Sequence, residues 1–554
     1  WRNGWAFSLS LALQGLTGTY YAIYSALLAP GLVLAAGFAS GRRPRIRDVS
    51  RLFLPAVIVG AAGLLFLSPY RRVAAESLAQ KPIADGADIA SFFLPGPDFW
   101  LFKGWLPVAP HGESNHFLGY LPLALGLMGL LTLAKERGRV PAARSFVAMA
   151  GAWFMGVGAL VSIGAYPHFM GASLGASPYL VILNAVPTLR GMATVERAGV
   201  LVHIGLALLA AVGAERVLRH GRSPLLVLAL AGLGAAEQWT IPRPGFRVPA
   251  GPALPPVYRS LASGRGPVVE VPVFPDRLLR FRALYPYFST YHWRPVPLGR
   301  ASFYPPAHDY LATLLQGFPD PVSIEALRSL DIRDIVVHPR MWSTRRGARL
   351  RALEGPEFEL IESFPGDVSP AAASLEMGDE RVYRLSPSAS SGVPCVPLGE
   401  VDTASAVITS SASEGVSRLR DRSLATSWST VRPQKEGDWI ELLWTEPRAV
   451  AAIRLLFGPR PSEFPIALRV LILSPAGEWE ATPESSPVAS AVETLGQLIE
   501  RDPQAGVTVR IEPALTRGIR LVLGRDADRS PWNPWSVAEI RLFSGCAAPP
   551  AGKS

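Results

Sequence analysis

The chain has 554 residues, of which 49% are apolar and only 18% charged, and its formal net charge is +10. Soluble globular domains carry roughly 25% charged residues, so this composition excludes a chain that is water-soluble throughout. The basic residues lie in short clusters between apolar runs, which is a pattern of membrane topology, and no nucleic-acid partner is expected.

The apolar runs are confined to residues 1–240, the transmembrane helical region, and residues 241–554 read as ordinary globular surface. The chain opens at Trp1 directly on apolar residues, without the pattern of a secretory signal peptide, and reads as the C-terminal portion of a longer protein. Six apolar segments predict membrane helices, at 16–39, 52–68, 117–134, 146–163, 198–214 and 224–236. A perpendicular crossing needs about 20 residues. The second segment is at the lower limit and the last is shorter still, extended by Trp239 at the interface. Basic clusters follow the first, third and fifth segments: Arg42 to Arg51, Lys135 to Arg144, and Arg216 to Arg222. The positive-inside rule places these loops in the cytoplasm. It places the longer loops 69–116 and 164–197, and everything after residue 240, on the extracytoplasmic face.

Residues 241–256 are rich in Pro and Gly and read as an extended exit. An α/β domain over 241–387 follows, with strands predicted at 267–274, 332–338, 357–363 and 381–385. Helices are predicted at 323–330, capped by Ser323, and at 343–353. Between them the chain is dense in aromatics: Tyr285, Tyr287, Phe288, Tyr291, His292, Trp293, Phe303, Tyr304 and Tyr310. These residues suit a sugar-stacking surface, and equally a packed core loop or an interfacial aromatic belt. A Ser/Pro/Gly linker spans 388–398. The segment 399–546 is built of short strands at 440–443, 450–457, 467–473, 507–512, 518–523 and 537–543 with no long helix, and 547–554 is a tail. This spacing predicts a β-sandwich or jelly roll.

Three ordered motifs in that last segment resemble a discoidin (coagulation-factor type C) domain and the related family 32 carbohydrate-binding modules. They are Asp421-Arg422-Ser423-Leu424-Ala425-Thr426-Ser427-Trp428, Gly437-Asp438-Trp439-Ile440, and Trp535 through Glu539-Ile540-Arg541-Leu542-Phe543. The one departure is Arg422, where the family has Gly. The resemblance implies a glycan partner and a structural calcium held by Asp421, Thr426 and Glu539, since oxygen ligands suit calcium. On the residues alone, Asp421 also suits a cap on its own turn and Glu539 a partner for an arginine. Such domains commonly join their two ends by a disulfide, which implies a Cys395–Cys546 bridge; two free thiols are the alternative.

Residues 1–390 resemble the C-terminal portion of the GT-C superfamily of polytopic membrane glycosyltransferases. The resemblance rests on Leu16-Thr17-Gly18-Thr19-Tyr20-Tyr21, Ser91-Phe92-Phe93-Leu94-Pro95, Glu113 through Leu118-Gly119-Tyr120, and Val186-Pro187-Thr188-Leu189-Arg190 before Glu196-Arg197. It implies sugar transfer from a polyprenyl-phosphate donor to an envelope glycan, by a protein of the bacterial plasma membrane with the lipid bilayer as partner. Enzymes of this family carry a catalytic Asp or Glu, able to hold a divalent metal, in the loop after their first span. That loop is expected upstream of Trp1; loss of the catalytic residue in this lineage is the alternative.

Within the chain, Glu113 and His116 are candidates for positioning a hydroxyl or a metal, and also suit a solvated helix start. Arg190 and Arg197 are candidates for the donor phosphate, and also suit interfacial anchoring. His203 lies inside a span, where an ionisable group is a functional candidate or a hydrogen-bonded bridge between helices. No Walker loop, dinucleotide fingerprint, zinc-spaced Cys/His set or G-x-S-x-G elbow occurs, which argues against an ATPase, dehydrogenase, metalloprotease or serine hydrolase. The expected fold is multi-domain: an α-helical transmembrane bundle, a small extracytoplasmic α/β domain, then an all-β discoidin-like jelly-roll sandwich. The expected function is a cell-envelope glycosyltransferase; the alternative is a non-catalytic membrane-anchored protein displaying a glycan-binding domain.

Overall fold

The computed structural model describes residues 2–41, 86–107, 116–135, 141–241, 248–273, 279–299, 304–341, 353–387 and 395–547, with isolated positions in 50–61 and at Leu350. Short gaps fall within these ranges at 103, 187–188, 190–191, 193, 221–222, 354, 367–368, 374, 413, 527–528 and 530–532. The chain divides into two compact units, Trp1–Gly245 and Phe246–Ser554.

The first unit is helical. Helix Arg2–Thr17 was not anticipated, and the run expected at 16–39 begins after a break at Gly18, whose extended backbone (φ 179°, ψ 126°) separates it from helix Thr19–Ser40. Gly41, left-handed at φ 61°, closes that helix by donating its N–H to the Phe38 carbonyl. Among the described residues, three helices are long and apolar enough to cross a membrane: Ile23–Ser40, Ala142–Ser162 and Val195–Arg219. Ile23–Ser40, Ala142–Ser162 and Val195–Arg219 overlap the runs expected at 16–39, 146–163 and 198–214. Tyr120–Lys135 and Pro224–Gln238 are apolar but shorter, and 52–68 lies almost wholly outside the described residues. The run at 117–134 loses its first turn for a physical reason. Gly119 is left-handed at φ 83°, and the Glu237 carboxylate accepts the Leu121 N–H at 2.9 Å, so the helix starts at Tyr120. Helices Tyr120–Lys135 and Gly199–His220 touch backbone to backbone: a Cβ on Gly213 would lie 1.9 Å from the Leu125 carbonyl oxygen. At the basic end of the bundle, Glu215 pairs with Arg144 (2.7 Å) and Arg219 (3.2 Å).

The second unit opens with a four-stranded sheet in the order β3 (Val268–Val271), β4 (Asp334–Val337), β6 (Glu380–Leu385), β5 (Phe358–Phe364), with β3 parallel to β4. Every residue of β3 and β4 is buried. Helix Pro321–Ser329 is capped by Asp320, which accepts the Ser323 N–H at 2.8 Å; the expected cap at Ser323 is one turn too late. The helix expected at 343–353 lies almost wholly outside the described residues. The aromatic-rich stretch forms helices Leu279–His292 and Pro306–Leu315 and mostly faces inward. Tyr285, Phe288 and Tyr310 are buried, and Phe288 stacks on Tyr258 at 4.2 Å. Trp293 stands out at 84% exposure, and Phe303 lies outside the described residues.

The sandwich has a seven-stranded sheet in the order β12-β11-β13-β10-β15-β7, with β8 also on β10 and a separate β14–β9 pair. Its strands run β7 (Val396–Val401), β8 (Val407–Ser410), β9 (Trp428–Ser429), β10 (Trp439–Leu456), β11 (Leu468–Leu473), β12 (Trp479–Thr482), β13 (Gly506–Leu523), β14 (Ser536–Val537) and β15 (Glu539–Ala547). Two pairs of expected strands fuse, 440–443 with 450–457 in β10 and 507–512 with 518–523 in β13. Register shifts between Leu443 and Arg448 explain why the alternation breaks there. Trp428 and Trp535 fill the core edge to face, 5.2 Å apart, and Trp428 Nε1 donates to the Ala412 carbonyl. Cys395 and Cys546 are bridged, Cα to Cα 5.5 Å, beside the β7–β15 pairing. Closing a loop of 151 residues restricts the unfolded chain by about 5 kcal/mol in the chain-entropy model.

A helix not anticipated in the sandwich, Pro487–Glu500, buries Ala491, Thr494, Leu495 and Leu498, one face at helical spacing. It packs on helices Pro306–Leu315 and Pro321–Ser329. One apolar core therefore joins both parts: Leu495, Phe457 and Phe464 share it with Tyr310, Phe318 and Leu327. Arg529 reinforces the seam, donating to the Thr313 and Leu314 carbonyls (3.2 and 3.3 Å) and pairing with Asp320 and Asp526.

Beneath the sheet of the α/β part lies a buried charge cluster. His338 Nε2 meets Glu270 Oε2 at 3.0 Å, His338 Nδ1 faces Glu380 Oε1 at 3.7 Å, and the Tyr258 hydroxyl donates to Glu270 at 2.7 Å. Burial alone would depress the His338 pKa, but the two carboxylates outweigh it and push it up to about 9. Burial would raise Glu380, but His338 and the Gly378 N–H hold it below the usual range. The His338 contribution is therefore complete below pH 6.5 and is lost as pH rises through about 9, on the order of 3 kcal/mol. The Glu380 contribution is lost on the acid side. We predict that the urea midpoint falls between pH 7 and 10, and that His338→Gln is less stable at pH 7 and loses that alkaline slope. An unchanged slope in the variant would assign the alkaline loss to other groups.

Candidate functional site

Two places gather polar groups in ways the packing alone does not require. The first is the end of the helical unit opposite the basic clusters. Asp88 caps the turn Ile89–Phe92 by accepting the Ala90 N–H at 2.8 Å. Its carboxylate also accepts the N–H groups of Met170 (3.1 Å) and Gly171 (2.7 Å), pinning the hairpin of β1 (His168–Phe169) and β2 (Ala172–Ser173). Sequence reasoning passed over Asp88. Its position before a short turn is a capping signal, but nothing local reveals a hairpin 82 residues away.

His116 stacks on Phe92, ring centroids 5.1 Å apart, and packs on Gly199 at the start of a helix. A Cβ on Gly199 would lie 2.5 Å from His116 Nδ1, so only glycine admits the ring. Burial holds His116 below the usual imidazole range, partly opposed by Glu196, and its Nε2 has no hydrogen-bond partner. The side chain of His203 bonds the His116 backbone, so that intramembrane histidine ties a helix to a loop. Arg197 is exposed, with its guanidinium over the Tyr20 ring at 5.5 Å. The Tyr20 hydroxyl in turn bonds Thr194 (3.1 Å). The hydroxyls of Tyr24 and Tyr179 nearby are buried without partners. Glu113 and Arg190 lie outside the described residues.

The second place is the loop before β9. Asp421 accepts the Ser423 N–H (2.9 Å) and the Thr426 hydroxyl (2.6 Å), and Arg422 between them is left-handed at φ 57°. Glycine would adopt that conformation without strain, so the departure at Arg422 keeps the turn and adds a steric cost. Glu539, at the start of β15, is 5% exposed with its Oε2 unpartnered, and the Arg422 N–H reaches its carboxylate. Burial raises its pKa, and Asp421 adds to the rise while Arg541 opposes it. Among the described residues no three His, Cys, Asp or Glu side chains gather as a metal site. Asp421, the Thr426 hydroxyl and the orphaned Glu539 Oε2 are oxygen groups of the kind a hard cation takes. Asp438 of the Gly-Asp-Trp motif is structural. Burial would raise it, but Arg432 (2.6 and 2.9 Å) and the Lys435 N–H hold it low.

No family model and no curated protein matches the chain. Among solved structures, it is similar over 100% of its length to the arabinofuranosyltransferase AftD from Mycobacteria, at 15% identity and a TM-score of 0.37, spanning 48% of that chain. About a quarter of it, 26%, is similar to the family 32 carbohydrate-binding module of NanJ from C. perfringens, solved with galactose (12% identity, TM-score 0.21, 98% of that chain). A two-domain protein of unknown function from Bacteroides fragilis is similar over 28% of this chain and 46% of its own (13% identity, TM-score 0.21). The chain thus spans about half the length of two of these three structures.

Proposed function

We propose that this chain belongs to a membrane glycosyltransferase of the bacterial cell envelope, in which the sandwich holds the glycan acceptor on the extracytoplasmic side. The observation that carries the reading is the joining, in one polypeptide, of helices of membrane length to a disulfide-closed sandwich bearing the 421–428, 437–440 and 535–543 motifs. A disulfide persists in an oxidising compartment, and the basic clusters favour the same side for residues after 240. Exposed Arg197, held over Tyr20, suits the phosphate of a polyprenyl-linked sugar, because guanidinium pairs with phosphate oxygens. Asp88 is a positioning residue in this reading, since both its carboxylate oxygens are engaged by backbone N–H groups. That engagement also favours a second reading, a non-catalytic anchor that displays a glycan-binding sandwich.

In the sandwich, Asp421, Thr426 and Glu539 would hold a calcium ion whose role is to fix the loop before β9. We predict that calcium raises the Tm of the EDTA-treated protein by a few degrees and that Glu539→Gln abolishes the shift; an equal shift in the variant would place any ion elsewhere.

Transfer is tested in membranes carrying the protein with the loop expected upstream of Trp1 included, supplied with radiolabelled polyprenyl-phosphate sugar and envelope glycan. Incorporation that falls tenfold or more in Arg197→Ala supports the transferase. Glycan binding by the purified protein with no incorporation supports the anchor.

A further inference from the structure

Residues 164–186 open the loop 164–197 that was expected on the extracytoplasmic face, and their chemistry is wrong for a loop in water. The stretch contains no Asp, Glu, Lys or Arg. It folds as the β1–β2 hairpin followed by helix Pro178–Ala185, and it exposes Tyr166 (42%), Phe169 (49%), Met170 (45%), Leu174 (60%), Val181 (70%) and Val186 (44%). Eight helical residues rise about 12 Å, too little to cross a bilayer.

We infer that this segment is an interfacial element seated in the lipid of the leaflet at the end of the bundle opposite the basic clusters. Its depth is set by its attachments. The hairpin leaves helix Ala142–Ser162 at once, the Ser177 N–H returns to the Ala165 carbonyl (2.8 Å), and the Ser177 hydroxyl to the Gly164 carbonyl (2.6 Å). Ser177 then caps the short helix through the Tyr179 N–H at 3.1 Å. The segment is therefore stapled where a span ends.

The turn is also prepared for an apolar solvent. Met170 and Gly171 are both left-handed (φ 52° and 81°), the geometry of a tight hairpin, and both of their N–H groups are taken by the Asp88 carboxylate. The Leu174 N–H is taken by the Pro167 carbonyl at 2.9 Å. Lipid tolerates backbone only where its polar groups are satisfied internally, and a hairpin in water has no need of a buried carboxylate for this. Trp100, Trp105 and Trp239, exposed by 50%, 87% and 64%, belong to the same end, where the Trp100 N–H reaches the Trp239 carbonyl. Tryptophan concentrates at the membrane interface.

The inference rests on the bundle being membrane-embedded, and one experiment separates the two claims. The only cysteines are paired with each other, so introduced ones label cleanly. Spin labels are placed at Phe169→Cys and Val181→Cys in the full chain in nanodiscs, with Leu131→Cys on helix Tyr120–Lys135 and exposed Glu478→Cys as controls. We expect positions 169, 181 and 131 to collide with oxygen several-fold more than with a water-soluble nickel complex, and 478 the reverse. Lipid-like readings at 131 with nickel access at 169 and 181 would overturn the interfacial element alone. Shielding of 169 and 181 from both probes would also overturn it, in favour of a protein partner. Nickel access at 131 would overturn the membrane reading itself.

Discussion

The second unit depends on an apolar core that its two architectures share, beside the cores each keeps for itself. Helix Pro487–Glu500 is inserted between β12 and β13 of the sandwich, yet the face it buries meets helices Pro306–Leu315 and Pro321–Ser329 of the α/β part. Arg510 holds the helix through Ser490 and Glu493 and also donates to the Cys395 carbonyl, so one side chain ties the helix, β13 and the disulfide-bonded Cys395 together. Separating the parts would expose Tyr310, Phe464 and Leu495 together and part Arg529 from Asp320. Each large apolar side chain is worth roughly 2–3 kcal/mol on burial, so the seam is far from a flexible tether. In the proposed reading, a glycan on the sandwich would be held in fixed register with the α/β sheet.

A related constraint runs through the helical unit, where polar groups are answered internally. Glu237 serves the start of helix Tyr120–Lys135, Asp88 serves a hairpin turn, and the His203 side chain serves the His116 backbone. Each pairs an ionisable side chain with backbone rather than with a reactant. In a low-dielectric setting such pairings stabilise far more than in water, because the alternative is an unsatisfied group. Arg197 differs, being exposed and supported by an aromatic face, and this separates an anion-binding candidate from the structural ionisable groups around it.

Much of the sandwich was legible because its motifs are short-range and chemical. Trp428 and Trp535 are core residues, Asp438 is a turn lock, and the two cysteines meet. The seam was not legible, because Pro487–Glu500 lies between strands and its apolar face finds its partner more than 150 residues earlier in the chain. Helix starts were less legible for a similar reason: apolar runs mark hydrophobicity, but Gly18, Gly119 and Glu237 decide where helices begin, and those effects are conformational or long-range. The aromatic stretch 285–310 could be read either way from sequence. Burial of Tyr285, Phe288 and Tyr310 makes it chiefly core, with Trp293 the exception. At the membrane end, Asp88 carried no signal beyond a cap, whereas the absence of charge over 164–186 is plain in the sequence.

The central claim is that an envelope glycan is held by the sandwich of an otherwise membrane-bound chain. Hydrogen–deuterium exchange of the full chain in nanodiscs, with and without an envelope polysaccharide, tests it most directly. The account predicts slowed exchange concentrated in residues 395–546, with the helical unit unchanged. Slowed exchange confined to residues outside 395–546, or none at saturating polysaccharide, would contradict it.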